Sequence, residues 1–379
     1  MRQLKMWTFV ITILALAGTL AHAEGQMEEP GADRLPVVAT TNIVGDIVAR
    51  IGGERVSLYV MLPPGADPHA FQPTPRDARQ AADAAVVFIN GAGLEADFLG
   101  DLIASAEPRL VVDLSAHLEL RSMVDVHEEE HDEHDHDEDE HDHDEDEHDD
   151  EEGHDEDEEG HEHEGEEEHD EDEHEHDEDE EEHDDEEEHD EHGHDEHGHG
   201  HGEFDPHVWM DPTLVAAWAE EIAEALAEVD PDHGADYAER ADALAGELHA
   251  LDAWVRERVA AIPRDRRILV TDHDVFGYFA DRYGFTVLDT IIPGFSTVSE
   301  PSARHLAGLR EAMAEHGVPA IFVGLTVSSH VAEVVADDLG IEVVSVYTGS
   351  LSEPDGPAAT YQDFMRTNVE RIVAALAGS

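Results

Sequence analysis

The chain of 379 residues contains no cysteine. That excludes disulfides, thiolate metal sites and a cysteine nucleophile, so any bound metal must rely on His, Asp, Glu or water. Lysine is almost absent: Lys5 stands alone against 19 arginines. Positive charge is scarce altogether, and the formal net charge is −76. Nucleic acid and anionic membrane surfaces are therefore poor partners, and cations are good ones. Long apolar runs are also lacking. After Trp7–Leu20 no stretch is long enough to span a bilayer. An acidic, lysine-poor body suggests a saline habitat.

That single apolar run has the form of a leader. Arg2 and Lys5 precede it, and Ala21-His22-Ala23 follows as a small-x-small cleavage site, giving a mature start near Glu24. No cysteine follows the run, so a lipid anchor is not expected. The expected product is exported and periplasmic, without direct membrane insertion.

Residues 127–202 are built only from His, Asp/Glu and Gly: 20 histidines, 49 acidic residues and 7 glycines. Nothing here can be buried to offset the entropy of ordering, so the segment is expected to be a disordered loop. Imidazoles beside carboxylates at dense, irregular spacing offer many weak sites for a borderline divalent ion, zinc above all. A plain acidic spacer or a calcium buffer would leave the histidines idle. The loop accounts for −49 of the charge, and the remaining −27 is still strongly acidic.

Elsewhere strands and helices alternate. Residues 35–40, 56–62, 85–90 and 110–114 read as strands, with helices at 42–51, 76–84 and 94–104 between them. A helix follows from Pro212 to about Val229. A very long one then runs from Pro231 to about Ile262, with Leu244, Leu248, Leu251 and Val255 on one stripe. From Arg267 the alternation resumes, ending in a helix at 360–377. The predicted class is α/β: two open parallel-sheet lobes joined by a long rigid helix. The expected organisation is a leader over 1–23 and an N-terminal lobe over 24–229 that carries the loop 127–202. A linker helix over 230–263 and a C-terminal lobe over 264–379 complete it.

Ligands of open parallel sheets bind at the carboxyl ends of the strands. His69 follows the second strand, His273 follows the first strand of the second lobe, and His207 lies between the acidic loop and a helix. Each has aspartate neighbours, in Asp67-Pro68-His69, Asp205-Pro206-His207 and Asp272-His273-Asp274. Carboxylates so placed can orient the free ring nitrogen of a ligating imidazole. The trio is the candidate metal site. His117, His233, His249, His305 and His316 lie on predicted helices or loops and read as ordinary surface residues. His330 starts a helix and is a weaker candidate.

Three motifs carry a resemblance. Gly65-Ala-Asp-Pro-His69-Ala-Phe-Gln-Pro-Thr-Pro75, Asp205-Pro-His207-Val-Trp-Met-Asp-Pro212 and Thr271-Asp-His273-Asp-Val-Phe-Gly-Tyr-Phe-Ala280 resemble, in order and spacing, the metal-ligand motifs of a known family. These are the zinc and manganese solute-binding proteins of ABC transporters, the ZnuA-like cluster. The His-rich insertion before the second motif also matches. The resemblance implies metal held in the cleft between two lobes that move little, and a partner permease in the inner membrane. Manganese binders of that family resemble a site of two imidazoles and two carboxylates, with Glu where this chain has His273. An all-imidazole trio suits zinc, copper or nickel better.

The chain departs from the family pattern at one place. Where many relatives carry Asp, Tyr347-Thr-Gly349-Ser-Leu351 has Gly349. Water, Asp355, Glu353 or a loop imidazole then fills the fourth position. An open position on three histidines is also a catalytic arrangement, but no positioned base or nucleophile motif accompanies it, so an enzyme is not expected. The expected function is capture of Zn2+ and its delivery to a permease for import, by a monomer, with a periplasmic zinc metallochaperone as a further partner. The alternatives are a zinc buffer or metallochaperone without a transporter, and a manganese-binding homologue.

Overall fold

A computed structural model describes residues 34–122 and 204–378. The leader and the acidic loop expected over 127–202 lie outside the described residues. Two four-stranded sheets, both wholly parallel, form the framework. The first has the order β2-β1-β3-β4, from β1 (Leu35–Ala39), β2 (Val56–Val60), β3 (Val86–Ile89) and β4 (Val111–Asp113). The second repeats it as β6-β5-β7-β8, from β5 (Ile268–Thr271), β6 (Thr286–Thr290), β7 (Ala320–Gly324) and β8 (Glu342–Val346). In each sheet the chain goes to one side and then back to the other. That leaves a crevice beyond the carboxyl ends of the two central strands, where ligands of such sheets lie. β3 and β7 are central and buried along their whole length, which explains their unbroken apolar sequences.

Helices cover both sheets. In the first lobe they are α1 (Asn42–Gly52), α2 (Pro75–Asp83) and α3 (Ala96–Ala106). Thr41 caps α1 by accepting from Val44 N–H, and Thr74 and Asp77 form a reciprocal capping box on α2. Next in the chain come α4 (Pro212–Val229), which packs on α1 and β3 of the first lobe, and α5 (Gly234–Val259), which packs along α4. The second lobe carries α6 (Gly277–Tyr283), α7 (Ala303–His316), α8 (His330–Leu339) and α9 (Tyr361–Ala377).

α5 is the spine. Tyr237, Ala241, Leu244, Leu248, Leu251, Val255 and Val259 form its buried stripe. α1 from one lobe and α9 from the other both rest on it. The helix is shorter than its sequence pattern predicts. Pro231–His233 forms a separate 3-10 turn, held by Asp230, which accepts from Tyr237 Oη (2.7 Å) and pairs with His233 Nδ1 (2.9 Å). The remaining 26 residues span roughly 39 Å.

The lobes are also bonded directly. Asn42 at the start of α1 donates to Ser350 Oγ (2.8 Å) and accepts from Leu351 N–H (2.8 Å). Ser350 Oγ also accepts from Gly65 N–H (2.7 Å), and Trp209 Nε1 donates to Thr348 O (2.7 Å). The segment after β8 is thus buttoned onto the loop that carries His69.

Candidate metal centre

Each of the three histidines emerges where its sheet ends. His69 stands in the turn-rich loop between β2 and α2. His273 leaves β5 at the crevice of the second sheet. His207 opens the 3-10 turn Val208–Met210, and Asn90, just past β3, donates to Pro206 O (3.0 Å) and pins that segment over the first sheet. The three rings converge, with centroids 5.2, 5.3 and 5.1 Å apart. One nitrogen from each lies within 4.8 Å of the others. His69 Nε2 and His207 Nε2 are 3.1 Å apart. Two imidazole nitrogens sharing one tetrahedral zinc would lie roughly 3.3 Å apart, from metal–nitrogen bonds of about 2.0–2.1 Å. The spacing therefore suits a shared ion.

The second ring nitrogens are held differently. Asp205 Oδ1 faces His207 Nδ1 at 2.8 Å and accepts the backbone N–H of the same residue at 2.9 Å. Asp272 does the same for His273, at 3.1 and 3.0 Å. Each carboxylate places the proton on Nδ1 and turns Nε2 toward the centre. Asp67 departs from that pattern. It accepts the backbone N–H of His69 (3.0 Å) and bonds Thr297 Oγ1 across the cleft (2.6 Å), so it shapes the loop rather than the ring.

His207 and His273 are buried, and His69 is half-buried at the opening. Trp209 and Phe295 wall the His207 ring edge-on. Burial, and then the neighbouring imidazoles, push His69 and His207 well below the ordinary histidine range. Burial acts downward on His273 most strongly of any single influence, but Asp272 beside its ring, together with Asp67 and Asp274, raises its pKa. Asp205 is pushed up to about 6 by burial, against the pull of His207 N–H and Arg121. Asp274 is likewise pushed up to about 6, by burial and then by Asp205.

The fourth position gains no carboxylate among the described residues. Among the described residues only the three histidines form the group, and Glu353 and Asp355 are exposed and outside it. The other histidines among the described residues are otherwise engaged or exposed. His305 Nε2 meets Thr290 O (2.7 Å), His233 pairs with Asp230, His117 lies 3.8 Å from Glu221, and His330 is exposed. Sequence reasoning missed Arg121, Gly277 and Tyr278, which surround Asp205 behind His207. Gly277 and Tyr278 stand inside the third motif, but no spacing links Arg121 to it.

The family described as "Zinc-uptake complex component A periplasmic" matches residues 37–375. The chain belongs to this family. Its members are solute-binding proteins of ABC transporters and not enzymes, and they work in the periplasm with an inner-membrane permease. Among its relatives are the manganese-binding lipoprotein MntA of Halalkalibacterium halodurans, 26% identical over 372 residues, and the zinc-binding protein TroA of Treponema pallidum, 26% identical over 378 residues. The first match covers 98% of both chains and the second 97% of both. The solved structure of the T. pallidum periplasmic zinc-binding protein TroA superposes with a TM-score of 0.66 at 24% identity, over 91% of this chain and 99% of that one. A manganese-bound periplasmic metal-binding protein from Candidatus Liberibacter asiaticus gives 0.63 at 20% identity, over 90% and 100%. These two share the fold. Among the described residues no helix is long and apolar enough to cross a membrane.

Proposed function

We propose that the protein captures Zn2+ through Nε2 of His69, His207 and His273 and delivers it to an ABC permease for import. The observation that carries this reading is the donor set: three convergent imidazoles, with no carboxylate among them. Imidazole favours zinc over manganese, which prefers more oxygen. Capture releases the proton of any charged imidazole and leaves one position for water. The name of the H. halodurans relative keeps a manganese-binding reading as the second.

The acidic segment 127–202 is proposed to collect ions weakly for the tighter site. Deleting it should slow transfer from a zinc metallochaperone, and an unchanged rate and stoichiometry would remove that role. The division into a leader over 1–23, lobes over 24–229 and 264–379 and a linker over 230–263 is proposed on the same footing, as is a monomeric state.

Zinc calorimetry on the mature chain and on the His69→Ala, His207→Ala, His273→Ala triple variant tests the capture site. The expected result is loss of one tight site with weak sites retained. A tight site that survives the triple change would place capture elsewhere.

A further inference from the structure

Asp205 is the only one of the two ring-orienting aspartates that is itself held by a permanently charged group among the described residues. Its oxygens divide the work. Oδ1 takes both His207 contacts, and Oδ2 accepts from Arg121 NH1 at 2.8 Å. The equivalent second oxygen of Asp272 accepts only a backbone N–H, from Gly324 at 3.0 Å. Asp205 is fully buried.

Arg121 is fixed from every side. Its Nε donates to Asp281 Oδ2 (2.7 Å), and its guanidinium lies 5.8 Å from the centre of the Tyr278 ring. Its backbone N–H donates to Tyr278 Oη (3.0 Å), and Tyr278 Oη donates to Asp205 O (3.0 Å). Asp205 N–H returns to Arg121 O (2.9 Å), beside the antiparallel bridge between Ser122 and Phe204. Gly277 opens the space. A Cβ there would lie 1.6 Å from Arg121 NH1 and 2.7 Å from Asp205 Oδ2. Only the absence of a side chain lets the guanidinium reach the buried carboxylate.

We propose that Arg121 is a positioning residue of the metal site, admitted by Gly277, which holds the Asp205 carboxylate so that His207 presents Nε2 to the ion. The inference rests on the three-histidine reading above. Removing the guanidinium leaves Oδ2 without its charged donor in a buried place, where an unpaired oxygen is costly. The carboxylate then turns to find another donor and releases His207 Nδ1. Gly277→Ala reaches the same end with Arg121 still in the chain.

The test uses the full mature chain and compares Arg121→Gln, Arg121→Lys and Gly277→Ala. Arg310→Gln, which breaks an ion pair with Asp338 between α7 and α8, is the control. Zinc affinity is read by chelator competition, and crystal structures of the metal-free variants read the Asp205 and His207 rotamers. Arg121→Gln and Gly277→Ala should lose about ten-fold in affinity, the lower end for partners of metal ligands. Asp205 should turn away from His207 Nδ1, Arg121→Lys should restore part of the loss, and Arg310→Gln should leave affinity unchanged. If Arg121→Gln fails to fold, Gly277→Ala and Arg121→Lys carry the same comparison. An unchanged affinity, or a loss with Asp205 and His207 still in place, overturns the proposal. The rotamers are read without metal, so they judge Arg121 even if the triple histidine variant shows that zinc binds elsewhere.

Discussion

Gly349, in the segment after β8, lies directly against Pro68, the residue before His69. A Cβ on Gly349 would sit 2.6 Å from Pro68 Cδ and 2.8 Å from its Cγ. Pro68 is buried and its ring cannot swing aside, so the contact transmits any added atom to the His69 loop. Gly349→Ala is expected to cost about 1–3 kcal/mol by overpacking and to weaken zinc binding several-fold, roughly in line with a displaced ligand support. Urea unfolding and chelator competition check the two effects. A variant with lowered stability and unaltered affinity would show that the contact holds the lobes together without setting His69.

That contact also shows what was legible in the sequence. The strand and helix alternation was readable because β3 and β7 are apolar throughout and α5 keeps a three-to-four residue stripe. The histidine trio was readable because each ligand candidate is tied to a neighbouring aspartate in the chain. The supporting contacts were not. Arg121 meets Asp205 across 84 positions, and Gly349 meets Pro68 from the other lobe. Neither residue type announces such a partner. A glycine required by the closeness of another segment looks, in the sequence, like a glycine required by a turn. The start of α5 was misplaced for a related reason: Pro231 signals a helix start, but Asp230 holds Pro231–His233 as a separate turn.

Zinc affinity should depend on pH through His273. Its pKa is raised above 6.5, whereas His69 and His207 are held well below it. As pH is lowered into the histidine range, binding must displace a proton from His273, while His69 and His207 are already neutral. As pH is lowered, affinity should therefore begin to fall already above pH 6.5 and then drop about ten-fold per pH unit of further acidification, the slope for one displaced proton. Chelator competition between about pH 5.5 and 8, the range that brackets an imidazole, reads it directly. A profile flat down to pH 6 would contradict the assignment.

The spine is joined to the second lobe by charge. Asp252 on α5 accepts from Arg282 Nε and NH2, both at 3.0 Å, and from Arg256 Nε at 3.2 Å. Burial would raise the Asp252 pKa, but the two arginines win and lower it. Asp252→Asn should lower stability by about 1.5–3 kcal/mol, the range for hydrogen bonds to charged groups. The sign with pH is fixed by the lowered value. The contribution is fully present above the ordinary carboxylate pKa and disappears as pH falls through the depressed one. Urea unfolding of both proteins should show a gap at pH 7 that narrows as pH falls below the ordinary carboxylate range. A gap independent of pH would mean that packing, not charge, joins α5 to α6.

Metal preference can be tested at one residue. Of the three histidines in the candidate site, only His273 follows a strand of the second sheet. Replacing it with Glu exchanges a nitrogen donor for oxygen, which manganese tolerates better than zinc does. The new carboxylate would face Asp272, which now lies 3.1 Å from His273 Nδ1 and would lose that partner. Two carboxylates in a buried site repel each other until a cation or a proton joins them. The metal-free His273→Glu variant should therefore be less stable than the parent, and added divalent metal should restore more of its stability. Its zinc affinity should fall by about ten-fold or more, the scale set by disturbing a zinc site, and its manganese-to-zinc ratio in mixed-metal equilibrium dialysis should rise. If the ratio stays as in the parent, imidazole count is not what selects the metal, and the geometry imposed by the two lobes would have to do so.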